Sequence, residues 1–167
     1  IKQADVLQGF YFFEDDFSKD QLEKNFDFYE PFTVHESSLS PSIHAVLAAK
    51  LDRPEQAYNF YLRTSRLDLD DYNAEVKEGL HITSMAGTWL SVVEGFGGMR
   101  VKNNAVYFEP QLPKAWKSLS FKINFKGSVL ELFVSEPGSK VTLIEGQPVA
   151  VFLNGSAISF DQNNVLT

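Results

Sequence analysis

The hydrophobic period of this chain changes once, at Gly97-Gly98, and that change limits the fold more than any other feature. Before it, apolar residues recur three and four apart, the spacing of amphipathic helices. After it they alternate singly with polar residues, as half-buried strands do. Val6, Leu7, Phe10 and Tyr11 open the helical half. Ser18 with Gln21 predicts a capping box, in which each side chain satisfies the other's free backbone N–H, and Phe17 and Leu22 are placed as a hydrophobic staple. Leu22, Phe26 and Tyr29 share the face that follows, up to Pro31. Ser40-Pro41 starts a third helix through Ile43, Val46, Leu47 and Leu51, with proline in its favoured first turn. Asp52 with Glu55 predicts the cap of a fourth, carrying Ala57, Tyr58, Tyr61 and Leu62. A fifth runs through Met85, Trp89, Val92, Val93 and Phe96 until the glycine pair stops it. The links are short, so neighbouring helices are expected to pack as antiparallel hairpins.

Beyond Gly98, Leu119, Phe121, Ile123 and Phe125 alternate with polar residues, and further apolar runs lie at 129–134, 141–144, 149–152 and 157–160. Lys126-Gly127, Pro137-Gly138, Gly146-Gln147-Pro148 and Asn154-Gly155 separate them, and Asn-Gly is a strong hairpin signal because both residues tolerate positive φ. Short strands at this spacing predict an antiparallel β-sandwich, with Glu109–Lys117 as a connecting loop. The expected organisation is therefore a multi-domain α and β chain, with residues 1–98 helical and residues 99–167 a small sandwich.

Charge divides at the same place. Residues 1–98 carry 17 acids against 8 bases and residues 99–167 carry 5 against 7, so neither half has the basic stripe a nucleic-acid partner needs. No apolar run is long enough to span a bilayer, and no signal peptide opens the sequence. The lack of cysteine excludes disulfides and thiolate chemistry and favours a cytoplasmic location. The chain opens on Ile1, which suggests an excised or processed fragment.

The histidines are His35, His44 and His81, and none has a partner at metal-ligand spacing, so no metal site is expected. His44 falls inside the third helix and reads as a packed or surface residue. Asp68, Asp70 and Asp71 read as a capping or solvated acidic turn, because Asn73 stands where a calcium loop needs glycine. Two polar clusters lie at helix starts: Thr33 to Ser40, including His35, Glu36, Ser37 and Ser38, and Glu78 to Ser84, including Gly79 and His81. Each alone is equally well a capping segment. Together, with His81 as a donor beside two serines, they could instead hold a phosphate, so both readings stand at this point.

The ordered motifs Lys2-Gln3-Ala4-Asp5, Asn25 to Glu30, Thr33 to Ser40, Arg66 to Asn73, Gly79-Leu80-His81-Ile82, Met85-Ala86-Gly87-Thr88-Trp89 and Gly95 to Arg100 resemble one family. It is that of the maltose, kojibiose and trehalose phosphorylases, whose relatives include acid trehalases. The resemblance covers nearly all of residues 1–100; residues 101–167 are similar to the family's C-terminal sandwich in pattern only.

The resemblance implies that the helices are the last of an (α/α) barrel of six hairpins and that the sandwich is the C-terminal domain. It implies inverting phosphorolysis of an α-glucosyl disaccharide without a cofactor, inorganic phosphate being the co-substrate, and a homodimeric parent enzyme. The general-acid glutamate would lie upstream of Lys2, so this chain alone would lack activity and would need the rest of the catalytic domain as its partner. Lys2 and Gln3 match substrate-binding positions. Ser37, Ser38, His81 and Gly79 match positions associated with phosphate. Wording of the helical motifs is nearest to the maltose members, with trehalose or kojibiose as alternatives. Two other readings are an acid-trehalase-like hydrolase and a carbohydrate-binding or structural fragment, in which Trp116 and Tyr107 would serve as stacking platforms.

Overall fold

A computed structural model describes residues 2–160 except Glu36, Tyr72, Asn73 and Glu75, with only the backbone of Glu78. The chain separates into two compact units, Ile1–Gly95 and Phe96–Thr167.

The first unit is helical: α1 (Asp5–Phe12), α2 (Lys19–Tyr29), α3 (Ser40–Lys50), α4 (Pro54–Ser65), the short α5 (Leu67–Asp70) and α6 (Ile82–Leu90). At the start of α2 both capping-box bonds form, Gln21 N–H to Ser18 Oγ at 3.2 Å and Ser18 N–H to Gln21 Oε1 at 2.9 Å. Leu22 and Phe26 are the buried face of α2. The unit is organised around α3, whose residues from Ser40 to Ala49 are all buried. A helix hidden on every side must be largely apolar, with its polar groups hydrogen-bonded, and α1, α4 and α6 all pack against it. Its three buried polar residues each find a bond. Ser42 Oγ donates to Leu39 O (3.1 Å), His44 Nδ1–H donates to Ser40 O (3.0 Å), and Ser40 Oγ meets His35 Nδ1 (2.9 Å).

Two helix boundaries differ from expectation. Asp52 is not the cap of α4: it takes a left-handed conformation (φ 60°) in the turn after α3, and its carboxylate pairs with Lys19. Pro54 sets the start instead, so Arg53 precedes the helix and its guanidinium reaches back to Glu23 (2.8 Å) and Asp27 on α2. The fifth predicted helix keeps α geometry only to Leu90. Ser91–Phe96 form a widened π turn, beginning where Ser91 Oγ donates to Gly87 O at 2.8 Å.

At Gly87 α6 passes close to Ser42 of α3. A Cβ there would lie 2.7 Å from both Cβ and Oγ of Ser42 and 3.3 Å from Thr64 Cγ2. Gly87→Ala is expected to destabilise the helical unit by about 1–2 kcal/mol. The overpacking cost of roughly 1–3 kcal/mol exceeds the ~1 kcal/mol that alanine gains in helix propensity. Denaturant titration of the intact protein tests this, and a variant as stable as wild type would refute the close crossing.

The second unit holds two sheets. One is a meander of β3 (Ser118–Phe125), β4 (Ser128–Ser135) and β5 (Gly138–Glu145). The other is ordered β1 (Arg100–Lys102), β2 (Ala105–Phe108), β6 (Val151–Leu153), β7 (Ser156–Ile158). Leu119, Phe121 and Ile123 stand opposite Val134, Leu132 and Leu130, so the period-two pattern falls on one face. Leu130, Leu132 and Val134, with Val141, Leu143, Val106, Phe108 and Val151, form one core between the sheets. The loops Lys126-Gly127 and Asn154-Gly155 have φ values of 52° and 79°, and 50° and 76°, the left-handed pair that two-residue hairpins require.

The expectation of a wholly antiparallel sandwich needs correction, because β2 and β6 pair in parallel, Val106 with Val151 and Phe108 with Leu153. The connection between them is the whole β3–β5 meander, which supplies the long crossover that a parallel pair needs. Tyr107 lies flat on Phe152 (centroids 4.6 Å, 6° between planes) and Trp116 meets Phe96 edge-on at 4.8 Å. Both rings thus pack within the fold.

Candidate active site

Within the helical unit, side chains bring the two polar helix starts together. Ser38 Oγ lies 2.9 Å from Thr83 Oγ1, and Ser84 Oγ donates to the Ser38 carbonyl at 3.2 Å. The loop before α3 is thereby fastened to the first turn of α6, across 45 and 46 residues of sequence. His81 is the residue before α6, and its carbonyl accepts from Ser84 N–H (2.9 Å) and Met85 N–H (3.2 Å). Asp68 holds it from the other side. One carboxylate oxygen accepts the His81 backbone N–H at 2.9 Å, and the other accepts the ring Nδ1–H at 2.5 Å. The His81 hydrogen bonds hold the Asp68 carboxyl below the usual carboxylate range.

Ser37 sits in the same loop as Ser38; its Oγ accepts from Leu39 N–H at 3.3 Å. Gly79 has φ 115°, nothing lies within 4 Å of where its Cβ would be, and its N–H donates to Val76 O at 3.1 Å. Lys2 is exposed just before α1, and the Gln3 amide donates to Asp5 Oδ1 at 3.1 Å. The bonds given above join the serine and histidine segments and involve neither Lys2 nor Gln3. Glu36 lies outside the described residues, as do Asn73 of the acidic turn and the Glu78 side chain. Among the described residues, no three His, Cys, Asp or Glu side chains gather as they would around a metal ion.

Behind the serine loop lies a buried aromatic box. The His35 and His44 rings meet edge-on at 4.5 Å, and Phe60 is 5.3 Å from His35 and 5.1 Å from His44. Phe26 closes the His44 side at 5.7 Å. Neither Nε2 has a hydrogen-bond partner. Burial, reinforced by His44 and Arg63 nearby, pushes His35 down to about 3, and burial pushes His44 down to about 4, so both are neutral at pH 7. Arg63 donates to the His35 carbonyl at 3.1 Å, which fixes the left-handed backbone at His35 (φ 53°).

Two pairings in the site have no local signal in the sequence. Asp68 read as part of an acidic turn, and no periodicity links an acid to a histidine 13 positions later. Thr83 was visible within its cluster, but its pairing with Ser38 is a tertiary contact without a local signal.

Comparison with known proteins places the chain. Residues 1–90 match the glycosyl hydrolase family 65 central catalytic domain and residues 99–160 match that family's C-terminal domain. The chain belongs to glycosyl hydrolase family 65. It is 53% identical over 149 residues to a maltose phosphorylase of Bacillus subtilis (strain 168), covering 89% of this chain and 20% of that protein. It is 44% identical over 164 residues to an α,α-trehalose phosphorylase of Thermoanaerobacter brockii, covering 98% and 21%. A solved structure of a candidate kojibiose phosphorylase from the human microbiome superimposes with a TM-score of 0.88 at 40% identity, over 95% of this chain and 21% of that one. The chain spans about a fifth of the length of these relatives. No helix among its described residues is long and apolar enough to cross a membrane.

Proposed function

We propose that this chain supplies the phosphate-binding side of the catalytic domain, and the C-terminal domain, of an inverting α-glucosyl disaccharide phosphorylase acting on maltose. The observation that carries the reading is the fastening of the Ser38 loop to the His81 segment, with two helix starts and a clamped imidazole gathered in one place. Helix starts carry positive partial charge, which suits a multiply charged anion. Ser37, Ser38, His81 and the backbone at Gly79 form the cradle, while Lys2 and Gln3 contact sugar hydroxyls. The relatives named as maltose and trehalose phosphorylases support the reaction class.

In this reading phosphate attacks the anomeric carbon from the face opposite the glycosidic oxygen. A carboxylic acid from the preceding part of the catalytic domain protonates that oxygen as it leaves. The bond to phosphorus-bound oxygen forms as the glycosidic bond breaks, giving β-glucose 1-phosphate and glucose. Inversion requires room for the nucleophile between the reacting carbon and the far wall. Phosphate is already anionic, so it needs donors to hold it and no dedicated base, and no cofactor enters.

The helices are the last of an (α/α) barrel. Phe12, Phe13, Phe28, Phe32, Leu80, Ile82 and Trp89 are all exposed, a run of large apolar surface that a complete barrel would cover. The parent enzyme is cytoplasmic and a homodimer.

The test is to incubate the full-length protein with maltose, with and without inorganic phosphate, and to follow the sugars by NMR. Phosphate-dependent β-glucose 1-phosphate is expected. Glucose release that ignores phosphate would place the protein with the hydrolases instead. The close match to a trehalose phosphorylase over nearly the whole chain makes trehalose the second substrate to try.

A further inference from the structure

We infer that Asp68 is a positioning residue that sets the orientation and tautomer of His81 for phosphate; the inference rests on the cradle reading above. Three observations carry it. Asp68 grips His81 twice, at the backbone N–H (2.9 Å) and at ring Nδ1–H (2.5 Å), so both the main chain and the plane of the imidazole are fixed by one carboxylate. Asp68 is itself anchored, because Leu67 beside it is buried and the Asp70 carboxylate on the same short helix accepts from Arg66 Nε at 2.7 Å. The residue it grips stands at the junction where Thr83 and Ser84 hold the serine loop.

The chemistry follows from the fixed proton. With Nδ1–H committed to a carboxylate, the ring cannot flip without losing that bond, so a phosphate would be met through Nε2, an acceptor on the neutral ring and a donor on the protonated one. A carboxylate behind the ring also offsets positive charge on it, so the imidazole can share a proton with a phosphate oxygen. An amide in place of Asp68 has a single acceptor oxygen. It can serve the backbone N–H or the ring, but its NH2 group opposes whichever is left, and the favoured tautomer changes. At metal sites, loss of the partner that orients a ligating histidine costs about 10–100-fold, and a loss of that order is expected for an imidazole oriented toward phosphate.

The experiment is steady-state kinetics on full-length Asp68→Asn, Asp68→Glu, His81→Ala and the Asp68→Asn/His81→Ala double variant, varying inorganic phosphate and maltose separately. Asp68→Asn is expected to raise the KM for phosphate by about 10-fold or more while the KM for maltose stays within twofold. Asp68→Glu, which keeps the carboxylate, is expected to recover part of that loss. The double variant is expected to be no worse than His81→Ala alone, because Asp68 acts only through the histidine. Equal rises in both KM values, or no rise for phosphate, would overturn the inference. If Asp68→Asn does not fold, Asp68→Glu decides by the same split between the two KM values. A His81→Ala variant with normal phosphate KM would instead overturn the cradle itself, so the two failures are distinguishable.

Discussion

At pH 5 the helical unit is expected to be about 4 kcal/mol less stable than at pH 7.5, because His35 and His44 are held neutral in its interior. The sign follows from proton counting. Both rings have folded-state values far below the ordinary 6.5, at about 3 and about 4, so below pH 6.5 the unfolded chain takes up protons that the folded chain refuses. Stability is complete above about pH 7.5, falls as pH drops through 6.5, and goes on falling until the folded values are reached. At pH 5 each histidine has lost roughly 1.5 pH units of differential protonation, or about 2 kcal/mol. Burial is the main cause for both rings. The Ser40 carbonyl bond to His44 works slightly the other way, and the unpartnered Nε2 atoms mean that a new N–H would meet no acceptor. Thermal midpoints of the full-length protein at the two pH values measure the effect. His44→Phe, which keeps a ring among Phe26, Phe60 and His35, is expected to remove about half of the acid sensitivity. An acid sensitivity unchanged by that substitution would show that other groups carry it.

Gly98→Ala is expected to disrupt the β unit more than any other single methyl addition there. Its φ of 58° already favours glycine, but the larger effect is space: a Cβ would lie 2.2 Å from the Glu109 carbonyl oxygen and 2.5 Å from its carbonyl carbon. Those are backbone atoms, tied in place by the Glu109 N–H to Gly98 O bond at 3.3 Å, so no side chain can swing away. The left-handed penalty of about 1 kcal/mol and an overpacking cost at or above the usual ~3 kcal/mol together predict a loss of roughly 4 kcal/mol. Gly155→Ala is the control. Its φ is similarly positive at 76°, but nothing lies within 4 Å of the new Cβ, so only the conformational part remains. Chemical denaturation followed by near-UV circular dichroism separates the two. Equal losses for both variants would mean that the backbone contact at Gly98 is softer than its geometry implies.

Features carried by neighbouring residues were legible in the sequence, and features carried by distant pairs were not. The capping box at Ser18 and Gln21 spans three residues, and the left-handed Asn154-Gly155 turn spans two, so each follows from local chemistry. The alternation from Leu119 to Phe125 fixed the face that packs on the core. By contrast β1 and β2, with the parallel pairing of β2 and β6, have no clear sequence signal: the equally short β6 and β7 are marked by Asn154-Gly155, whereas the β1–β2 turn is the left-handed pair Asn103-Asn104 without a glycine. The misplaced cap at Asp52 arose from two competing local signals, an acid with Glu55 three residues on and a proline at position 54. The proline prevailed because its ring fixes φ. For the site, both helix-start clusters were visible as polar words in apolar text. That Ser38 would meet Thr83, and that Asp68 would take hold of His81, depended on tertiary packing of α3, α5 and α6.

The parallel pairing of β2 with β6 also sets an order of assembly. The β3–β5 meander is built from adjacent hairpins and can close as soon as each turn is made, at little cost in chain entropy. β2 must wait through the entire meander before its neighbour exists, and that long loop has to be closed before any contact repays it. Until then β2 keeps one edge of backbone N–H and C=O groups open. A ribosome releasing this chain would therefore expose an unsealed strand edge for the time needed to make some forty residues, the interval in which a chaperone or a neighbouring nascent chain would find it.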